Sequence, residues 1–286
     1  SLASAHRIAE VLDEDIVLTS PEDPIRVVPD GSVDYEGVSF KYHDDAKAYA
    51  LSGVDLHIKA GQTVGILGGT GSAKTTLVQL IPRLYDVTRG SVKVGGHDVR
   101  KYDLTALRDA VGIVLQKNVL FSGTVRENLQ WGDREADDET LWAACRAACA
   151  DEFLEKMPGG LDADLGQGGV NVSGGQKQRL CIARALLKKP KILIFDDSTS
   201  AVDTATEGKI RSALAGLTGV TKIIIAQRVT SVMHTDLIVI LEDGRVHATG
   251  THAHLLASDP IYQEIYASQM KGGEDHGGPA AQRQEA

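Results

Sequence analysis

A short apolar run, Val64–Leu67, ends directly in Gly68-Gly69-Thr70-Gly71-Ser72-Ala73-Lys74-Thr75-Thr76. An apolar strand that stops at a glycine-rich turn and restarts as a helix is the context a phosphate-binding loop requires. Backbone N–H groups in such a turn, and at the helix N-terminus behind it, attract anionic oxygens. Lys74 is spaced to reach β- and γ-phosphates, and the Thr75 hydroxyl to meet Mg²⁺. The strict pattern G-x-x-x-x-G-K-[ST] is not met, because Ala73 occupies the last glycine position. Alanine is tolerable there if that residue has helical dihedrals, and harmful if its φ is positive.

The rest of the chain reads as alternating strands and helices. Ile192–Phe195 and Lys222–Ala226 are continuous apolar runs, the mark of buried parallel strands, and a helix between them supplies a β-α-β crossover. Val33–Phe40 alternates like a half-buried strand, and Val54–Ile58 is a second one. Helices are predicted from Lys74 to about Leu84, over 103–109, over 139–157 and from Gly175 to about Lys188. Leu237–Leu241 and Arg245–Ala248 flank Gly244 as a hairpin. Residues 1–15 carry a helical period, 16–30 read as a linker rich in proline and acidic groups, and 271–286 form a polar tail expected to be disordered.

A length of 286 residues fits one large domain or two small ones, and 42% apolar residues supply a core. The net charge of −9 argues against a nucleic-acid-binding role. Cys145, Cys149 and Cys181 lack metal-ligand spacing and read as buried thiols. No apolar run approaches the roughly 18 residues of a membrane span, and no signal peptide is expected.

Between the loop and the strand at 192–195 lies Asn171-Val-Ser-Gly-Gly-Gln-Lys-Gln-Arg-Leu180. Ser173, Gly174, Gly175 and Gln176 open a helix and offer N–H groups and a hydroxyl to phosphate oxygens. Asp196 ends the following strand, where phosphate-loop ATPases place a Mg²⁺-holding carboxylate. In this order the segments resemble the nucleotide-binding domains of ATP-binding cassette (ABC) exporters, over roughly residues 31–270. The resemblance implies an α/β fold: a RecA-like P-loop NTPase core, an antiparallel β subdomain and an inserted α-helical subdomain at about 117–185. It implies that residues 1–30 link to a last transmembrane helix, and that the domain sits at the cytoplasmic face of the cell membrane. ATP and Mg²⁺ are the implied ligands, each ATP being sandwiched between the loop of one chain and the Ser-Gly-Gly-Gln signature of a second nucleotide-binding domain. Tyr42 would stack on adenine. Gln116 would coordinate Mg²⁺ or hold the attacking water. Ser200–Asp203 would communicate across the dimer. The segment Asn118–Leu129 would face the chain's own and its partner's transmembrane domains; Val119 and Phe121 suit exposed docking residues, with core packing as the alternative.

Two departures from the resemblance concern catalysis. Active members carry Glu where this chain has Asp197, whose carboxylate is shorter by one methylene. They carry His where this chain has Gln227, which forms hydrogen bonds but cannot become cationic near neutral pH. Gln167 also replaces an acidic residue often found before the signature. The combination resembles the degenerate half of heterodimeric multidrug-type exporters. Such a half cleaves its own ATP slowly and completes the site of a partner carrying Glu and His. The alternatives are a fully active homodimeric exporter domain and, more weakly, a soluble non-transport ABC protein.

Overall fold

The structure, a computed structural model, describes residues 2–196 and 204–274. Helix α1 (Leu2–Leu12) precedes two paired strands, β1 (Val33–Phe40) and β2 (Leu51–Ile58). Next come β3 (Thr63–Leu67), α2 (Lys74–Gln79), β4 (Arg89–Val94), β5 (His97–Asp98), α3 (Leu104–Asp109) and β6 (Val111–Val114). Four helices follow: α4 (Val125–Gln130), α5 (Asp138–Ala147), α6 (Asp151–Leu154) and α7 (Gly174–Leu187). The chain then forms β7 (Ile192–Asp196), α8 (Thr204–Ala215), β8 (Thr221–Ala226), α9 (Val229–Val232), β9 (Leu237–Glu242), β10 (Arg245–Gly250), α10 (His252–Ser258) and α11 (Pro260–Glu274).

The strands form two sheets. One is four-stranded, ordered β2-β1-β4-β5; the other is six-stranded, ordered β10-β9-β3-β8-β7-β6. The first is antiparallel throughout. In the second, β9, β3, β8, β7 and β6 are parallel and β10 closes one edge antiparallel. Strand β3 lies between β8 and β9, so its C-terminal end opens near the middle of the sheet. That explains the unbroken apolar character of β3, β7 and β8: helices or the other sheet cover both faces. One core cluster joins the two sheets through Tyr35, Phe40, Leu77, Ile194 and Ile223. A second unites α4–α7 with β6 and β7 around Leu129, Leu141, Leu154 and Ile182. A third packs Val229, Val232 and Tyr262 beneath β3, β8 and β9.

Several predicted boundaries shift for identifiable reasons. Helix α2 stops at Gln79 rather than near Leu84. Pro82 disfavours helical dihedrals at the residue before it, and Arg83 takes a φ of 51°. The helix expected over 139–157 is two helices, because Cys149 adopts a φ of 54°. Arg179 Nη1 on α7 donates to the Cys149 carbonyl at 2.9 Å, which satisfies the oxygen freed by the break. Strands β4 and β5 were not anticipated. Helix α11 runs to Glu274, past the expected domain boundary at 270, while residues 275–286 lie outside the described residues. The three cysteines are free and buried, and burial pushes the Cys145 thiol up to about 12.

Close backbone approach fixes one more residue. A Cβ added to Gly65 on β3 would meet Val232 Cβ of α9 at 2.5 Å. Gly65→Ala is expected to destabilise the fold by about 1–3 kcal/mol, the usual cost of overpacking. The midpoint of denaturant unfolding, at unchanged slope, measures it.

Candidate nucleotide-binding site

Three parallel strands, β3, β7 and β8, end side by side and deliver three groups to one sheet edge. From β3 comes the loop at 68–73, from β7 comes Asp196, and just past β8 comes Gln227. The crevice beyond the carboxyl ends of parallel strands is where open α/β sheets hold ligands. Here it is a cleft of about 600 Å³ lined by Thr70–Thr76, Tyr42, Gln116, Asp196 and Gln227.

The turn itself is tightly determined. A Cβ on Gly68 would meet the Leu241 carbonyl oxygen at 2.3 Å and Ser72 Oγ at 2.7 Å, so no larger residue fits. Lys74 opens α2, is 9% exposed, and donates through Nζ to the carbonyl oxygens of Gly68 at 2.8 Å and Gly69 at 2.7 Å. Its charge is therefore held over the loop. Thr75 Oγ1 donates to both carboxylate oxygens of Asp196, at 3.1 and 3.0 Å. Burial raises the Asp196 carboxyl above its ordinary value, while the Thr75 hydrogen bond and the Lys74 charge pull it back down. A hydroxyl and a half-desolvated carboxylate this close form a hard oxygen set suited to Mg²⁺.

Ala73 answers the question the sequence left open. Its φ is 69° and ψ 25°, in the left-handed region, so this is the unfavourable case for alanine. The steric cost there is roughly 1–2 kcal/mol.

Tyr42 is 46% exposed. Its hydroxyl shares a hydrogen bond with Thr76 Oγ1 at 2.7 Å, which ties the ring to the first turn of α2. Its ring stands edge-on to Phe40 and Tyr85, with centroids 4.9 and 5.3 Å apart. Phe40 is core. Sequence reasoning missed Tyr49, Ala50, Ile225, Asp243 and Gly244, which also line the cleft. Lys41 Nζ sits 4.8 Å from the Tyr49 ring centroid and holds that ring by a cation–π contact. A second tyrosine seven residues after Tyr42 was a visible signal, but nothing local showed which way it turned.

Ser173, Gly174, Gly175 and Gln176 are not in this cleft. They form the start of α7, where Ser173 Oγ accepts from Gln176 N at 3.3 Å and Gln176 Oε1 accepts from Ser173 N at 2.9 Å. This reciprocal capping box gives Ser173 and Gln176 a role within their own helix. A Cβ on Gly174 would meet nothing within 4 Å. Asp197 and Ser200–Asp203 lie outside the described residues.

The comparisons with known proteins agree with this geometry. Residues 51–200 match the family model described as ABC transporter. An uncharacterized ABC transporter ATP-binding protein of Mycobacterium tuberculosis is 43% identical over 272 residues, covering 93% of this chain and 46% of the relative. A putative multidrug export ATP-binding/permease protein of Staphylococcus aureus is 41% identical over 265 residues, covering 92% and 46%. A solved bacterial Atm1-family ABC exporter with ATP bound superimposes with a TM-score of 0.87 at 37% identity, over 94% of this chain and 47% of that one. The chain belongs to the ABC transporter family and has the ABC ATPase fold. It spans about half the length of the curated relatives it matches. No helix among the described residues is long and apolar enough to cross a membrane.

Ala73→Gly is expected to stabilise the chain. Relief of left-handed strain, about 1–2 kcal/mol, exceeds the entropy cost of glycine, about 0.5–1 kcal/mol. The thermal midpoint should rise by roughly 1–3 °C, as measured by calorimetry.

Proposed function

We propose that this chain is the ATP-binding domain of an ABC exporter, placed at the cytoplasmic membrane face, and that its own site is degenerate. The observation that carries the nucleotide reading is the convergence of Tyr42, Thr70–Thr76, Gln116, Asp196 and Gln227 on one cleft. Lys74 and the N–H groups of Gly69–Thr76 would hold the phosphates, and the Tyr42 face the adenine. Thr75, Asp196 and Gln116 would hold Mg²⁺, which neutralises phosphate charge when bound.

Docking to transmembrane domains is supported by the segment after Gln116. Val119 and Phe121 are each 47% exposed, and Phe121 stacks on exposed Trp131 with ring centroids 5.0 Å apart. Arg184 on α7 pins this segment by donating to the Val119 carbonyl at 3.0 Å. An apolar patch presented on a braced loop suits a protein partner.

The degenerate reading rests on Asp197 and Gln227. Gln227 lines the cleft with a neutral amide that cannot carry a proton through the reaction. Asp197 has a carboxylate one methylene short of Glu, and near-attack geometry is sensitive at about the 1 Å scale. The intact Ser173–Gln176 segment lies apart from the cleft and would act on ATP held by a second nucleotide-binding domain, a partner bearing Glu and His.

Two experiments test this. In the assembled pair, Gly174→Asp should suppress turnover at the partner's site, because a carboxylate there repels the facing γ-phosphate. Open space at Gly174 leaves the fold intact, so a normal unfolding midpoint with full turnover would remove the sandwich. The second changes Asp197→Glu and Gln227→His together. The double variant should raise turnover at this site more than the product of the single changes, since both act on one transition state. A single-turnover assay with separately labelled sites measures it. Rapid cleavage by the unmodified site, at the partner's rate, would leave an ordinary ATPase engine instead.

A further inference from the structure

Helix α11 reaches the backbone of Gln227, a residue of the cleft, through one side chain that no sequence motif announces. Gln269 Nε2 donates to the Gln227 carbonyl at 2.9 Å, and Gln269 Oε1 accepts from the Val229 N–H at 2.8 Å. A single amide thus grips the backbone on both sides of Arg228. The grip answers a local need. Arg228 stands at the N-cap of α9 in extended conformation, and its side chain makes no capping hydrogen bond. The first N–H of a helix has no intrahelical acceptor, and Gln269 supplies one to Val229.

The gripping helix is itself firmly seated. Tyr262 is fully buried in the cluster with Val229 and Val232. Asp259 Oδ1 accepts from Tyr262 N at 2.7 Å, and His252 Nδ1 shares a hydrogen bond with the Tyr262 hydroxyl at 2.7 Å. Ile265 and Tyr266 pack on the same cluster, and Gln269 lies one turn beyond them on that face. Gln227, which lines the cleft, thus leaves β8 with its carbonyl hydrogen-bonded to this helix.

We infer that Gln269 is a positioning residue for Gln227, and that α11 forms part of the γ-phosphate end of the nucleotide site. The inference rests on the nucleotide site proposed above and takes the Gln227 amide to hydrogen-bond the γ-phosphate there. A purely structural Gln269 would change ATP and ADP affinity alike. A positioning Gln269 changes their ratio, because only ATP carries the γ-phosphate.

The test is titration calorimetry of the whole chain with MgATP and with MgADP. Gln227→Ala should lower the ATP:ADP affinity ratio by about 3–10-fold, the loss of one net hydrogen bond. Gln269→Ala should lower it about threefold, in the same direction. The double variant should fall no further than Gln227→Ala alone. Gln269→Glu keeps the acceptor for Val229 N–H but sets a carboxylate oxygen against the Gln227 carbonyl. It should lower the ratio as Gln269→Ala does, and it carries the test if that variant fails to fold. If Gln227→Ala lowers the ratio while the folded Gln269 variants leave it at the parental value, the inference is overturned and the reading of Gln227 stands. A double variant showing the full product of the single effects also overturns it. If Gln227→Ala leaves the ratio unchanged, the reading of Gln227 fails and the inference falls with it.

Discussion

The turn between β3 and α2 is the constraint on which the site depends. Gly68 sits against the Leu241 carbonyl of β9 with no room for a side chain, which locks the loop to the neighbouring strand. Lys74 then closes over the loop by donating to two of its carbonyl oxygens. Because β3 is interior to the sheet, the strand on its β8 side carries Gln227 to the same edge, and β7 beyond it carries Asp196. The positions of these groups follow from strand order and register, with little freedom left to individual loops.

Electrostatics complete what topology begins. A carboxylate buried at the end of a parallel strand is costly in its charged form, and burial raises Asp196 accordingly. Thr75 and Lys74 offset part of that cost, and a divalent cation would offset more. Strain is added at Ala73, where a left-handed residue with a Cβ starts the helix that carries Lys74 and Thr75. Strained dihedrals persist where the surroundings over-determine them. Here the over-determination comes from the Gly68 contact before the residue and the Thr75–Asp196 hydrogen bonds after it.

What the sequence disclosed, and what it did not, divides by the range of the interaction. The phosphate loop, Asp196 and the ends of β3 and β8 were legible because each is a strand terminus with a local pattern. The sign of φ at Ala73 was not, since the same residue fits two backbone geometries and the choice is made by Gly68 and its neighbours. The break at Cys149 was hidden for a similar reason: an apolar helical period runs through it, and Arg179, thirty residues later, stabilises the break. Tyr49 reaches the cleft from the entry to β2 in the antiparallel sheet, and Asp243 and Gly244 from the β9–β10 turn of the other. Gln269 is more remote still, 42 residues beyond the carbonyl it grips. Periodicity reports which face of an element is buried, and it is silent on which distant polar group an element will meet.

The separation of the two phosphate-facing elements carries the last step. The cleft has its own cation, hydroxyl and carboxylate, yet the start of α7 stands elsewhere with Gly174 opening on free space. Ser173 and Gln176 already satisfy one another in the capping box, so the helix needs no ligand for its own stability. The N–H groups at this helix start, with Gly174 open, still present the positive end of the helix dipole. Within one chain that potential faces no phosphate. In the head-to-tail pair proposed above it would face the γ-phosphate in the other chain's cleft, and each cleft would draw its catalytic groups from one chain and its signature from the other. On that proposal, changes at Asp197 and Gln227 act on one cleft and a change at Gly174 on the opposite one. Such a division of labour, as proposed above, would let one chain lose its catalytic groups while its signature remains intact.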